Sequence, residues 1–486
     1  MKIKADQMAK FARLMVSNSA PCRRYLNTFA PVAARGESAK DSSWFRRLRS
    51  IHEPARLPST IDKWIAEGAA IKKFHVSGWV YRLRQIRMYP HALEVSQWLE
   101  NNKIMSNTDR AMHIDLLSKT KGGLVKAERY FNGLKTPEKT AETFGALLNC
   151  YCFKCMTGKA VDLVEMMKEF GITPTAWNMN HLLFSHLKVG QPEKVSLLVQ
   201  LMDDFGFAPD LYTYNHLMVS YADLKDYDGV EKVLEQMSAS KVKPNWCTYG
   251  TLARIYINAG FYAKATEALE SIERMESLHD PGAFKTLITL YGQTNSLSGV
   301  YRVWESLKSM PSKVRNECYL SLLIYLAKLG DVDGLEKYFN EWKKSHSKHD
   351  MRVYDVILKS YLDRGMLDNA ELLSKLLIKK QVKPTFKTLS TYMNFYLKKG
   401  QTDIALQHLE QGAAKLKERK YKDWFPDEET VNLFLKSFEG KKDTASAQKF
   451  FKIMKGLNCL DSKFSYSDYS LLPSGLVERK TQKVNE

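Results

Sequence analysis

No stretch of 18 consecutive apolar residues occurs in this 486-residue chain, so no transmembrane helix and no membrane insertion are expected. Cysteine is scarce and odd in number, seven in all, which argues against a disulfide framework. Cys152 and Cys155 have the spacing of half a zinc site, but no second such pair follows, and no histidine pair sits at finger spacing. Buried helical thiols are the expected reading, with no metal and no cofactor. The chain offers no glycine-rich phosphate loop and no convincing Ser/His/Asp arrangement. His346 and His349 flank a basic turn and read as solvated. No catalytic residue is assigned, and an enzyme is not expected. Acidic residues are also in deficit, 54 against 73 lysines and arginines, for a net charge of +19. That balance suits a polyanionic partner, nucleic acid first, with an anionic membrane surface or an RNA-rich particle as the other candidates.

What the chain does contain is a period. Residues 176–210 read AWNMNHLLFSHLKVGQPEKVSLLVQLMDDFGFAPD, and residues 211–245 read LYTYNHLMVSYADLKDYDGVEKVLEQMSASKVKPN. The two lines align over 35 residues without a gap, with Asn180 under Asn215, Met202 under Met237 and Pro209 under Pro244. Such a period signals stacked repeats. Tyr214, Leu217, Met218 and Tyr221 recur at helical spacing, as do Val230, Val233, Leu234 and Met237, so each line predicts two amphipathic helices. Met179, Leu182, Leu183 and His186 keep the first phase, and Val195, Leu198, Val199 and Met202 the second. Gly190 permits a left-handed end to the first helix, and a proline closes each unit. A lone hairpin cannot bury both stripes, so the units must stack. The expected fold is all-α, a right-handed α-solenoid of about ten to eleven 35-residue helix-turn-helix repeats.

Tyr-Asn early in the first helix, methionine late in the second, and proline followed by Asp or Asn make this frame resemble the pentatricopeptide repeat. The tetratricopeptide repeat has a shorter period and a different signature. The stretch WFRRLRSIHEPARLPSTIDKWIAEGAAIKK resembles the lead-in of a plant organellar subfamily, where an LYRRL helix and a DKWVEEG helix precede the first repeat. The P subfamily is the expected assignment. Repeats are expected at 73–107, 108–140, 141–175, 176–210, 211–245, 246–280, 281–315, 316–350, 351–385, 386–427 and 428–462, after a helical cap at 40–72 and before a polar tail at 463–486. Residues 1–39 are basic, acid-poor and amphipathic, the pattern of an organellar transit peptide. A mitochondrial location is expected, with the chloroplast as the alternative. Deaminase or nuclease domains appended in some family members have no room in the tail.

The resemblance implies a site. In this family one repeat meets one base, read by the fifth and last residues of the repeat. Asn180/Asp210 and Asn215/Asn245 match common combinations and imply uracil and a pyrimidine. Gly145/Thr175 matches no common combination, Ser390/Asp427 implies a purine in a lengthened repeat, and Lys285, Leu320 and Asp355, paired with Arg315, Asp350 and Thr385, fit no base-reading role. The fifth residue follows the stripe tyrosine and is expected off the buried face, in the groove; burial of Asn180 and Asn215 between helices would make the frame and every code assignment wrong. The last residues are equally good N-caps. Trp177 and Tyr212, at the second position, could stack bases or pack on the next turn. Arg84 and Arg87 are candidate phosphate contacts. The implied partner is single-stranded RNA, bound without chemistry in mitochondrial RNA processing, stability or translation. The alternative is a structural part of a ribonucleoprotein such as the mitochondrial ribosome, touching its other proteins.

Overall fold

A computed structural model describes residues 39–275, 279–311, 313–345, 350–379, 382, 384–419 and 426–457. The segment read as a transit peptide (all but its last residue), the tail at 463–486, His346, His349 and part of the basic insert before Pro426 lie outside them. Among the described residues there are 24 α-helices and no strand. None of those helices is long and apolar enough to cross a membrane.

The first helices of successive hairpins begin at Ala141, Ala176, Leu211, Trp246, Pro281, Asn316, Met351 and Phe386, one every 35 residues. Local chemistry sets these starts. The residue before most of these helices supplies a side-chain oxygen to orphan backbone N–H groups; before Asn316 it is Arg315, which cannot. Asp210 accepts from the N–H of Tyr212 and Thr213, both at 2.9 Å, and Asn245 from those of Cys247 and Thr248. Thr175, Asp350, Thr385 and Asp427 cap in the same way. Each first helix then stops at one register position with a left-handed residue: Gly190, Gly260, Gly330, Gly365 and Gly400, but Cys155, Lys225 and Asn295 where glycine is missing. A non-glycine residue there costs roughly 1–2 kcal/mol, which the packed hairpins tolerate.

The stripes form the core. Met179, Leu182, Leu183, Val195 and Met202 are fully buried, as are Met218, Val230 and Met237. The chain divides into two compact units, one up to Thr286 and one from Leu287. In the first, the Trp79 side chain sits edge-on to Trp44 and Trp64 and anchors an N-terminal cluster with Phe45, Leu57 and Ile61. Trp98 ties that cluster down by donating to Asp62 at 2.7 Å. In the second, Trp304, Tyr338, Phe339 and Trp342 fill the space between hairpins, and Phe434, Phe438 and Phe450 close the end of the array.

Candidate nucleic-acid interface

The fifth and last residues of a repeat do meet in space. Asn180 Nδ2 donates to both carboxylate oxygens of Asp210 at 3.1 Å, and Asn180 Oδ1 accepts from Thr213 Oγ1 at 2.9 Å. Asp355 repeats this clasp five repeats further along the sequence: it accepts from Thr388 Oγ1 at 2.6 Å and from Thr385 Oγ1 at 3.5 Å. Burial pushes the Asp355 carboxyl above its ordinary value, against the pull of the Thr388 hydrogen bond.

The expected exposure of these side chains needs correction. Asn180 is only 4% exposed and Asn215 only 7%. The first helix of the next repeat stacks on this face and covers it, so a residue off the hairpin's own stripe is still enclosed by its neighbour. The 35-residue frame stands despite that burial. What changes is the condition of each side chain. Both polar ends of the Asn180 carboxamide are held inside the protein. Asn215 is different: its Oδ1 is buried without a hydrogen-bond partner. The threonine that would serve it, Thr248, turns its hydroxyl to Asn245 instead.

Trp177 is half-buried, its ring 4.0 Å from that of His181 one turn on. Tyr212 is half-buried at the same register position. His181 Nδ1 lies 2.8 Å from Asn149 Oδ1, which also accepts from Asn178 Nδ2 at 3.3 Å, and Asn178 Nδ2 reaches the Gly145 carbonyl at 3.2 Å. With Asn149 Oδ1 accepting, the His181 ring carries its proton on Nδ1. Burial, helped by nearby His216, pulls His181 down to about 4, and burial pulls His216 to about 4 as well. Both rings are therefore neutral near pH 7 and add no charge for phosphate.

Arg84 and Arg87, expected as phosphate contacts, do not share one patch with each other or with Arg82, a second correction. Arg82 lies over the Phe45 ring at 3.7 Å. Arg84 is buried and pairs with Asp115 at 2.6 Å, which removes it as a phosphate contact. Arg87 lies in the turn beyond that helix and is exposed. Residues two apart on a helix point in nearly opposite directions, which separates Arg82 from Arg84. Burial pushes the Asp115 carboxyl up, but Lys119 and Arg84 outweigh it and its pKa lies below the ordinary value.

Cys150 and Cys152 are buried thiols; burial raises the first to about 11 and the second further. No group of three potential metal ligands occurs among the described residues. Sequence reasoning missed the polar third position, where Thr143, Asn178, Thr213, Thr248 and Thr388 recur in register; Asn178, Thr213 and Thr388 join one hairpin's first helix to its neighbour's. That recurrence was the available signal.

Capped antiparallel hairpins at a 35-residue pitch, each presenting the same register positions to its neighbour, define an α-helical tandem-repeat protein. Two family profiles agree: Pentatricopeptide repeat domain over residues 197–259 and PPR repeat over 142–172. Over these residues the chain matches pentatricopeptide repeats, and it is similar to pentatricopeptide-repeat proteins. It is 35% identical over 198 residues to a mitochondrial pentatricopeptide repeat-containing protein of Arabidopsis thaliana, covering 38% of this chain and 39% of that one. It is 39% identical over 107 residues to the large ribosomal subunit protein mL101 of the same plant, covering 21% of each. The chain thus spans less than half the length of either relative. The structure of PPR10 in complex with an 18-nt psaJ RNA element superposes with a TM-score of 0.55 at 17% identity, covering 93% of this chain and 66% of that one, a likeness of fold.

Proposed function

We propose that this chain is a non-catalytic single-stranded RNA-binding protein of the mitochondrion, acting in RNA processing, stability or translation. One observation carries the reading. Asn215 holds a buried carboxamide oxygen with no partner, at the register position where the family reads bases. A buried acceptor left unsatisfied costs about 1–3 kcal/mol. An incoming base N–H relieves that cost, and the net charge of +19 draws the strand in. Asn215 with Asn245 is then the base-reading pair. Asn180 with Asp210 reads a base only after its clasp opens. Trp177 and Tyr212 flank these sites as stacking surfaces, and Arg87 serves the phosphates.

Fluorescence anisotropy with unstructured oligouridylate, oligocytidylate and oligoadenylate tests this. Binding that prefers the pyrimidine strands and weakens with salt supports it; salt-insensitive or absent binding sinks it.

A second reading has its own support in the similarity to mL101: a structural component of a ribonucleoprotein particle such as the mitochondrial ribosome.

A further inference from the structure

One register position sets a single repeat apart from those that follow. The thirteenth residue of the first helix is polar in each of seven later repeats, from Lys188 and Asp223 to Asp363 and Lys398, but is Phe153 in the repeat before them. Phe153 is the last residue of its helix, and it is 59% exposed. A ring so placed gains little from the hydrophobic core, so core packing does not explain it.

Its neighbours give it a chemical setting. Lys119 Nζ lies 5.8 Å from the Phe153 centroid and 5.9 Å from that of Tyr89. The His181 ring stands edge-on to Phe153 at 5.3 Å. Lys119 and Arg84 each pair with Asp115 at 2.6 Å. Two cations on one carboxylate leave one positive charge in surplus. The Arg84 side chain is 7% exposed and that of Lys119 24%, so the surplus faces solvent at Lys119. An exposed ring beside a cation that shares its one carboxylate with a second cation matches the two halves of a nucleotide: the ring takes the base and the cation the phosphate.

We propose that Phe153 and Lys119 form an additional nucleotide subsite, where an unpaired RNA base stacks on the Phe153 ring and the adjoining phosphate pairs with Lys119. The proposal rests on the RNA-binding reading above. The subsite lies one repeat before Asn180, in a repeat whose own pair, Gly145 and Thr175, has no base-reading side chain at its fifth position. It holds the strand and sets its register without reading sequence.

The full chain is compared with its Phe153→Leu, Phe153→Trp and Lys119→Gln variants by anisotropy on oligouridylate and oligoadenylate across a salt series. Phe153→Leu keeps an apolar side chain but loses the ring. It is expected to weaken both strands alike, by about 5- to 150-fold, with an unchanged salt slope and with recovery in Phe153→Trp. Lys119→Gln is expected to lower the salt slope by about 0.7. Ultraviolet crosslinking of thiouridine-substituted RNA should modify the peptide that carries Phe153. Unchanged affinity in Phe153→Leu, or no adduct on that peptide, overturns the subsite and leaves the RNA-binding reading standing. No RNA binding by the parent chain overturns both.

Discussion

Removing the carboxamide of Asn180 breaks its bonds to Asp210 and Thr213, whereas the Asn215 oxygen has no partner to lose. The two alanine variants should therefore separate. Asn180→Ala is expected to lower stability by about 1–3 kcal/mol, since it removes the bonds that the carboxamide makes to Asp210 and Thr213 inside the protein. Asn215→Ala should leave the urea midpoint near the parent's but weaken pyrimidine RNA by about 1–3 kcal/mol, the scale of a base contact. The reverse pattern in paired unfolding and binding curves would remove Asn215 as the reading residue. Asp355 permits a pH test of the same clasp. Its folded pKa is raised by burial. A raised acid pKa favours folding below the unfolded value, about 3.9, and that contribution is lost as pH rises through the folded pKa. Asp355→Asn still offers an oxygen to Thr388, as Asn180 does to Thr213. It should be more stable than the parent near neutrality, with the gap closing toward pH ~4. A variant no more stable at neutral pH contradicts this reading.

Helix packing can be probed with two glycines. Gly78 lies within the helix Lys73–Gln85, and a Cβ added there meets nothing within 4 Å. Gly78→Ala should gain about 0.5–1 kcal/mol from backbone entropy and helix propensity. Gly292, in the helix Pro281–Gln293, faces the root of the Tyr325 ring, and a Cβ there would come within 2.8 Å of the Tyr325 Cβ. Gly292→Ala should cost about 1–3 kcal/mol through overpacking. Equal unfolding midpoints for the two variants would mean that the hairpin contact yields easily. The same contrast explains what the sequence revealed. Helix starts, turns and stripes are local, so Asp210, Gly190 and Met202 announce them within a few residues. The condition of the site residues depends on chain far away. The Asn180 clasp needs Thr213, 33 residues on, and Arg84 finds Asp115 31 residues on. Both partners belong to the next repeat's first helix, and periodicity alone does not say which neighbouring side chains pair.

A chain that selects one transcript by direct reading needs many open pairs, because each mismatched base costs only about 1–3 kcal/mol. Here Asn180/Asp210 is closed, Asp355 is clasped to Thr388, and Asn215 keeps an unsatisfied acceptor. The charge of +19 contributes affinity without regard to sequence. The whole molecule should therefore bind unrelated unstructured RNAs with affinities that differ by no more than about 3 kcal/mol, and an adaptor must obtain its remaining selectivity from partner proteins. Sedimentation of a mitochondrial lysate decides between the two functional readings. An adaptor should run in small complexes that ribonuclease disperses, and crosslink to a few transcripts. A structural component should travel with a ribosomal subunit at fixed stoichiometry, stay bound at moderate salt and leave when magnesium is chelated. Quantitative absence from the subunit peak rules out the structural role. Crosslinks confined to ribosomal RNA rule out the adaptor, and the unsatisfied carboxamide oxygen of Asn215 would then be a contact to rRNA in an assembled particle.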